Sequence, residues 1–348
     1  MKLYNYSLLI VLLVVLSCKK PFSKKQETAL ALPIETSKNN ESVVFIAGYD
    51  DGSNTYYTNA KKHFKNQGFL VIDYLYSIDA IIKWLNLNSS PNKNFNEIHI
   101  VSHSNPWLGM SLKTYETGKR IQLKNLQKDK QAGKMASLKS GITNQSKIIF
   151  HACGLSENKA LLKEIKAIFS TTTVTPKVYA SPFFNIFGGK YTSHYLAKPY
   201  YGFYPTAESP GPAQLSKEFK ATYPNTAIDW FTTLKTRHET QIGSVYSYKF
   251  NIPIEWEFIF DNSNNIPEFK TKDAIMDWIA ESTEMAKTLY ALNIPIEKYR
   301  WRTKVQANKL IVKGKTTVLC VLEPIMNSKD HYEYRKTAIK DTVLYEAF

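Results

Sequence analysis

Two hydrophobic runs end in side chains that could do chemistry together. Ile98-His99-Ile100-Val101-Ser102-His103 closes on an imidazole, and Lys147-Ile148-Ile149-Phe150-His151-Ala152-Cys153 closes on a thiol. A thiol attacks electrophiles as its thiolate, and an imidazole within reach takes the proton or holds the anion as an ion pair. That chemistry needs residues 103 and 153 in one place. Near-continuous Val/Ile/Phe runs are the pattern of parallel strands covered on both faces, and neighbouring strands of such a sheet end on the same edge.

The elements that would position the pair follow from the same patterning. Apolar runs predict strands over 43–49, 69–75, 98–103, 147–153 and 177–181, and helical spacing predicts helices over 54–67, 77–87 and 156–169. The last of these helices follows Cys153 and would favour a thiolate through its dipole. A lysine-rich stretch, 111–146, reads as exposed. The expectation is an α/β fold, a parallel sheet with helices on both faces, spanning 41–200. The Pro/Gly-rich segment 199–213 reads as a boundary, and 213–348 as a smaller α+β domain. There Tyr246, Tyr248, Phe250, Ile252, Ile254, Trp256, Phe258 and Phe260 alternate along one strand, bent or broken at Pro253. A helix is predicted over about 271–292. Residues 309–322 read as a hairpin turning at Lys313-Gly314-Lys315, not as a phosphate loop, because Lys309 stands where the first glycine of that loop belongs.

Composition excludes several classes. With 43% apolar residues and 13% aromatic ones, the chain has ample material for a core. Three cysteines exclude a disulfide scaffold or a four-cysteine zinc site, and seven histidines show neither HExxH nor His-x-His spacing, so neither a metal nor a cofactor is expected. The net charge of +15 is spread over singly placed lysines, which reads as solvated surface and not as a nucleic-acid interface. A disulfide between Cys153 and Cys320 is an alternative use of the two thiols.

The amino terminus carries one lysine and then an apolar run from Leu8 to Leu16, too short to span a bilayer, which marks residues 1–17 as a signal peptide. Val15-Leu16-Ser17-Cys18 resembles the bacterial lipobox. That resemblance implies cleavage before Cys18, lipidation of Cys18 and anchoring in the cell envelope, at the periplasmic face or the cell surface. Residues 18–40 are polar and lysine-rich and read as a tether.

The blocks IHIVSHSNPWLGMSL and KIIFHACGLSEN resemble the two signature strands of caspase-like cysteine peptidases, the clan of caspases, gingipains, clostripain and legumain. More closely, 43–190 is similar to the caspase-like domain near the start of large bacterial surface proteins. The separation of His103 and Cys153 matches the roughly 50 residues of the caspase pattern. The resemblance implies a cysteine endopeptidase acting on a polypeptide. Cys153 would attack the peptide carbonyl, His103 would serve as general acid/base, and the N–H groups of Ser104 and Cys153 would hold the oxyanion. Ser104 stands where the family usually has glycine, which matters if that position needs a positive φ. His151, two residues before Cys153 on the same strand face, is a supporting residue.

Asp50 and Asp51 leave the first strand on the same edge. In caspases the equivalent loop supplies a basic reader of an acidic substrate. The reversed sign here implies cleavage after Arg or Lys, whereas the bland alternative is a turn or a cap for the helix that follows. Two other functions stay open: a catalytically inactive scaffold that binds a protein partner at the envelope, and a serine hydrolase using Ser104.

Overall fold

The computed structural model describes residues 42–48, 55–90, 93–236, 243–327 and 333–348. Along the chain come β1 (Ser42–Ile46), α1 (Thr55–Asn66), β2 (Leu70–Ile72), α2 (Ile78–Leu87), β3 (Glu97–Val101), β4 (Ser104–Asn105), β5 (Gly109–Lys113), β6 (Arg120–Ile121), α3 (Leu123–Gln131), β7 (Lys147–His151), α4 (Lys159–Ile168) and β8 (Lys177–Ala180). There follow β9 (Phe184–Phe187), β10 (His194–Pro205), α5 (Gly211–Thr222), α6 (Trp230–Lys235), β11 (Tyr246–Ile259), α7 (Lys272–Glu281), α8 (Thr283–Leu292), β12 (Arg300–Gln306), β13 (Lys309–Pro324) and β14 (Glu346–Ala347).

The predicted α/β class holds. Six strands form one sheet in the order β14-β8-β7-β3-β1-β2, with β14 the antiparallel edge and the other strands mutually parallel. The strand order reverses between β1 and β3, which makes the carboxyl edge there a crevice where ligands collect in folds of this kind. Cross-strand register sorts the residues into two faces. Phe45, Ile100 and Phe150 align on one, where Phe45 meets Trp84 of α2 edge-on at 5.3 Å and Phe150 meets Phe169 just after α4 at 6.4 Å. Val44, Val101 and His151 lie on the other, with Phe64 of α1 and Phe187 of β9 against it. Ser77 and Asn158 cap α2 and α4 by accepting from Ala80 and Leu161 N–H groups.

The second sheet is antiparallel, in the order β11-β13-β10-β9, with β12 also paired to β13. It corrects three expectations. Residues 309–324 form one 16-residue strand and no hairpin. Gly314 is there for space: a Cβ would collide with the Trp301 ring and come within 2.8 Å of Ile254 Cγ2. The turn falls earlier, at Ala307, whose φ is +53°. β11 pairs through Pro253 without a register shift, which an edge strand tolerates because the missing N–H faces no partner. The single helix expected over 271–292 is two, because Ser282 ends α7 and caps α8. The segment 199–213 is occupied by most of β10 and the start of α5, and 111–146 contributes β5, β6 and α3. Since β10 also pairs with β13 and β14 with β8, all described residues belong to one compact unit.

Candidate functional site

The two motif strands are neighbours in register. Val101 of β3 pairs with His151 of β7, and the Ser102 N–H donates to the His151 carbonyl at 3.3 Å. His103 and Cys153 therefore each lie two residues past a paired position, at the carboxyl edge. Their loops touch as well: Gly154 has φ +62°, and a Cβ there would lie 3.1 Å from Pro106.

Ser104 opens β4. The Ser111 N–H donates to the His103 carbonyl at 2.7 Å, which makes 103 and 111 the hydrogen-bonded pair and turns the N–H of Ser104 away from β5. Among the described residues only Asn293 and Ala307 are non-glycine with positive φ, so serine at 104 is unstrained. Its hydroxyl is buried and has no hydrogen-bond partner.

His103 is held by two tyrosines from the first turn of α1. Tyr56 stacks on its ring at 4.3 Å and Tyr57 lies tilted at 4.9 Å, while the Tyr57 hydroxyl accepts the His103 N–H at 3.0 Å. The Tyr56 hydroxyl donates to the His151 carbonyl at 2.9 Å. Gly48, at the end of β1, leaves the space that the Tyr57 hydroxyl fills. The sequence reading missed both tyrosines. Their signal was a Tyr-Tyr pair opening the helix that follows the strand beside β3.

Cys153 faces the antiparallel sheet. It is 5% exposed, packed with Phe184, Tyr195, Tyr246 and Cys320, and its Sγ donates to the Asn185 carbonyl at 3.7 Å. Burial pushes the thiol up to about 12. The helix expected to stabilise a thiolate starts only at Lys159, behind a 3-10 turn over Leu155–Glu157, and Asn158 caps it. Cys153 and Cys320 share the cluster but are both free, so the alternative disulfide is not formed.

Behind Cys153 four histidines meet, contributed by α1, β3, β7 and β10. His99 Nδ1 and His151 Nε2 share a 2.9 Å hydrogen bond with the rings stacked, His151 and His194 are 5.2 Å apart centre to centre, and His194 and His63 are 5.3 Å apart. His194 Nε2 meets Asn185 Oδ1 at 3.1 Å and its Nδ1 meets Thr337 Oγ1 at 3.2 Å. Burial, followed by the neighbouring imidazoles, holds His151 and His194 well below their ordinary value, and burial lowers His63 to about 4. Glu97, 3.7 Å from His99, is lowered to about 2, first by its hydrogen bond to His99. Sequence spacing hid this group, because its members lie on four separate elements. Among the described residues no set of three or more His, Cys, Asp or Glu is arranged to hold a metal ion.

Asp50, Asp51, Cys18, the signal segment 1–17 and the tether 18–40 lie outside the described residues. No helix among the described residues is long and apolar enough to cross a membrane. No protein-family model matches the chain, and no curated protein matches it.

Proposed function

We propose that the protein is a lipid-anchored, caspase-like scaffold of the bacterial envelope in which His103 and Cys153 are packed and not poised, and that it works by binding a protein partner. The observation that carries this reading is the state of the thiol. A nucleophilic cysteine needs a populated thiolate and access, whereas Cys153 is 5% exposed among aromatic rings with its thiol raised to about 12. The lipobox at Cys18 and the lysine-rich tether support the location. The test is native alkylation at neutral pH, mapped by residue, with a peptide library in parallel. Cys153 should stay unlabelled while the denatured chain labels fully, and Cys153→Ala should leave any cleavage unchanged. Fast labelling together with cleavage lost in Cys153→Ala would overturn it.

A second reading, a latent cysteine endopeptidase, is favoured by the in-register strand ends and by the unstrained Ser104 whose N–H points away from β5. In it Cys153 attacks the carbonyl, His103 moves the proton, the N–H groups of Ser104 and Cys153 receive the oxyanion, and Asp50 or Asp51 selects Arg or Lys, all once the aromatic cover has moved. Comparing Arg, Asp and Leu before the scissile bond, with each Asp changed to Asn, tests the selection. The serine-hydrolase reading has less support, because nothing hydrogen-bonds the Ser104 hydroxyl to activate it.

A further inference from the structure

One flap contributes both to the cover over Cys153 and to the histidine group. β9 and the first residues of β10 pair with each other as a hairpin, residues 184–196, which is tied at its base where the Ile325 N–H donates to the Leu196 carbonyl at 2.9 Å and Tyr195 stacks on Tyr334 at 4.1 Å. This flap lies over the sheet face that carries His151 and Cys153. Phe184 and Tyr195 belong to the buried cluster that encloses Cys153, while Phe187 stacks on His194 at 4.4 Å and touches His63 and His151. Asn185 joins the two halves, since its carbonyl accepts the Cys153 thiol and its side chain meets His194.

We infer that this four-histidine seam is an acid-sensitive latch: protonation of His151 and His194 drives the 184–196 flap off the parallel sheet and uncovers Cys153. The neutral seam is self-consistent. One proton is shared between His99 Nδ1 and His151 Nε2; the second ring nitrogen of His151 is buried without a hydrogen-bond partner, and that of His99 faces Glu97 at 3.7 Å. Protonating both rings of that pair would set two donors face to face. It would also place cations about 5 Å apart in a buried site, where their repulsion is weakly screened.

Among the described residues the carboxylate beside the seam, Glu97, contacts His99 alone of the four histidines. From α1 comes His63, from β3 His99 and Glu97, from β7 His151 and Lys147, from β10 His194, and β9 contributes the neutral Asn185. Glu97 lies beside His99 and is engaged by Lys147 at 2.8 Å, while no carboxylate contacts His151 or His194 among the described residues. Solvent reaches the seam from one side. His63 lines a 270 Å³ cleft with Lys62, Lys190 and Ser193, the last bonded to His63 Nδ1 at 2.6 Å.

The direction in pH follows from linkage. Unfolded or undocked histidines take a proton near pH 6.5, whereas His63, His151 and His194 take it lower, so the open state binds more protons in between. Stability of the closed flap is therefore full above about pH 6.5 and is lost as pH falls through the lowered values.

The inference rests on the reading of Cys153 as a covered thiol, and one experiment separates the two. The full-length protein is labelled natively with a dithiodipyridine disulfide, which stays reactive in acid, and each cysteine is followed by peptide mapping. Cys153 should label at least ~10-fold faster at about pH 4.5 than at about pH 7.5, each relative to the denatured chain, with Cys320 still protected and far-UV circular dichroism unchanged. His194→Gln keeps polar atoms for Asn185 and Thr337 but takes no charge, so most of the acceleration should disappear. His63→Gln, at the accessible end, should remove less of it and serves if His194→Gln does not fold. Cys153 protected at both pH values overturns the latch and leaves the covered-thiol reading standing. Cys153 labelled already at the higher pH overturns both. Joint labelling of Cys153 and Cys320 in acid, or acceleration that survives both glutamine variants, overturns the latch.

Discussion

The parallel and antiparallel sheets solve burial in opposite ways. β1, β3 and β7 are five residues each and buried almost throughout, because helices or the flap cover both faces. β10, β11 and β13 run for 12, 14 and 16 residues, and the outer half of β11 alternates between half-buried and exposed positions over α7 and α8. The first kind of strand tolerates no polar side chain without a partner. The second can carry charge on every other residue. Cys153 belongs to the first sheet by sequence and to the second by environment, since the aromatic face of β10, β11 and β13 closes over it. The position of a reactive residue and its reactivity are thus set by different parts of the chain.

Mutations break this comparison in order of size. Phe150→Ala, at the centre of the parallel sheet and fully buried, should cost about 3–5 kcal/mol in urea unfolding. If the half-buried Phe258→Ala cost as much, the contrast between the sheets would be wrong. Gly314→Val forces a side chain into Trp301 and Ile254 and should cost roughly 1–3 kcal/mol by the same measurement, with loss of near-UV circular dichroism from the stacked Trp256 and Trp301. An unchanged midpoint would mean that β12 moves aside freely. Gly154→Ala, at φ +62° and against Pro106, should cost about 1–2 kcal/mol, and a neutral result would show that the two motif loops are not in firm contact. Glu257→Gln removes the exposed pair with Lys309, 2.9 Å long, and should change stability by less than ~0.5 kcal/mol, vanishing in high salt. A larger effect would make the outer antiparallel face more than a solvated surface.

The site was legible where it depended on local pattern. β3 and β7 end at the predicted edge because near-continuous Val, Ile and Phe, broken by His99 and closed by His151, mark strands buried on both faces, and a parallel pair in register carries both ends to the same side. The cover was illegible. Tyr195, Tyr246 and Cys320 are separated from Cys153 by 42 to 167 positions, and nothing in their neighbourhoods points at a thiol. Gly314 misled for a related reason. Glycine in Lys-Gly-Lys looks like a turn, but here it answers a tryptophan on another strand, which only packing brings near.

The sequence by itself determined the α/β class, the parallel strands, the helix that opens at Ser77, and the placement of His103 and Cys153 at two strand ends. Those follow from period, continuity and capping, which act over a few residues. Tertiary structure alone decided that Tyr56 and Tyr57 hold His103, that His63, His99, His151 and His194 share one seam, and that an antiparallel sheet raises the Cys153 thiol by desolvating it. Proton affinity and access depend on what lies within a few ångströms in space, and local pattern does not fix which distant segments those will be.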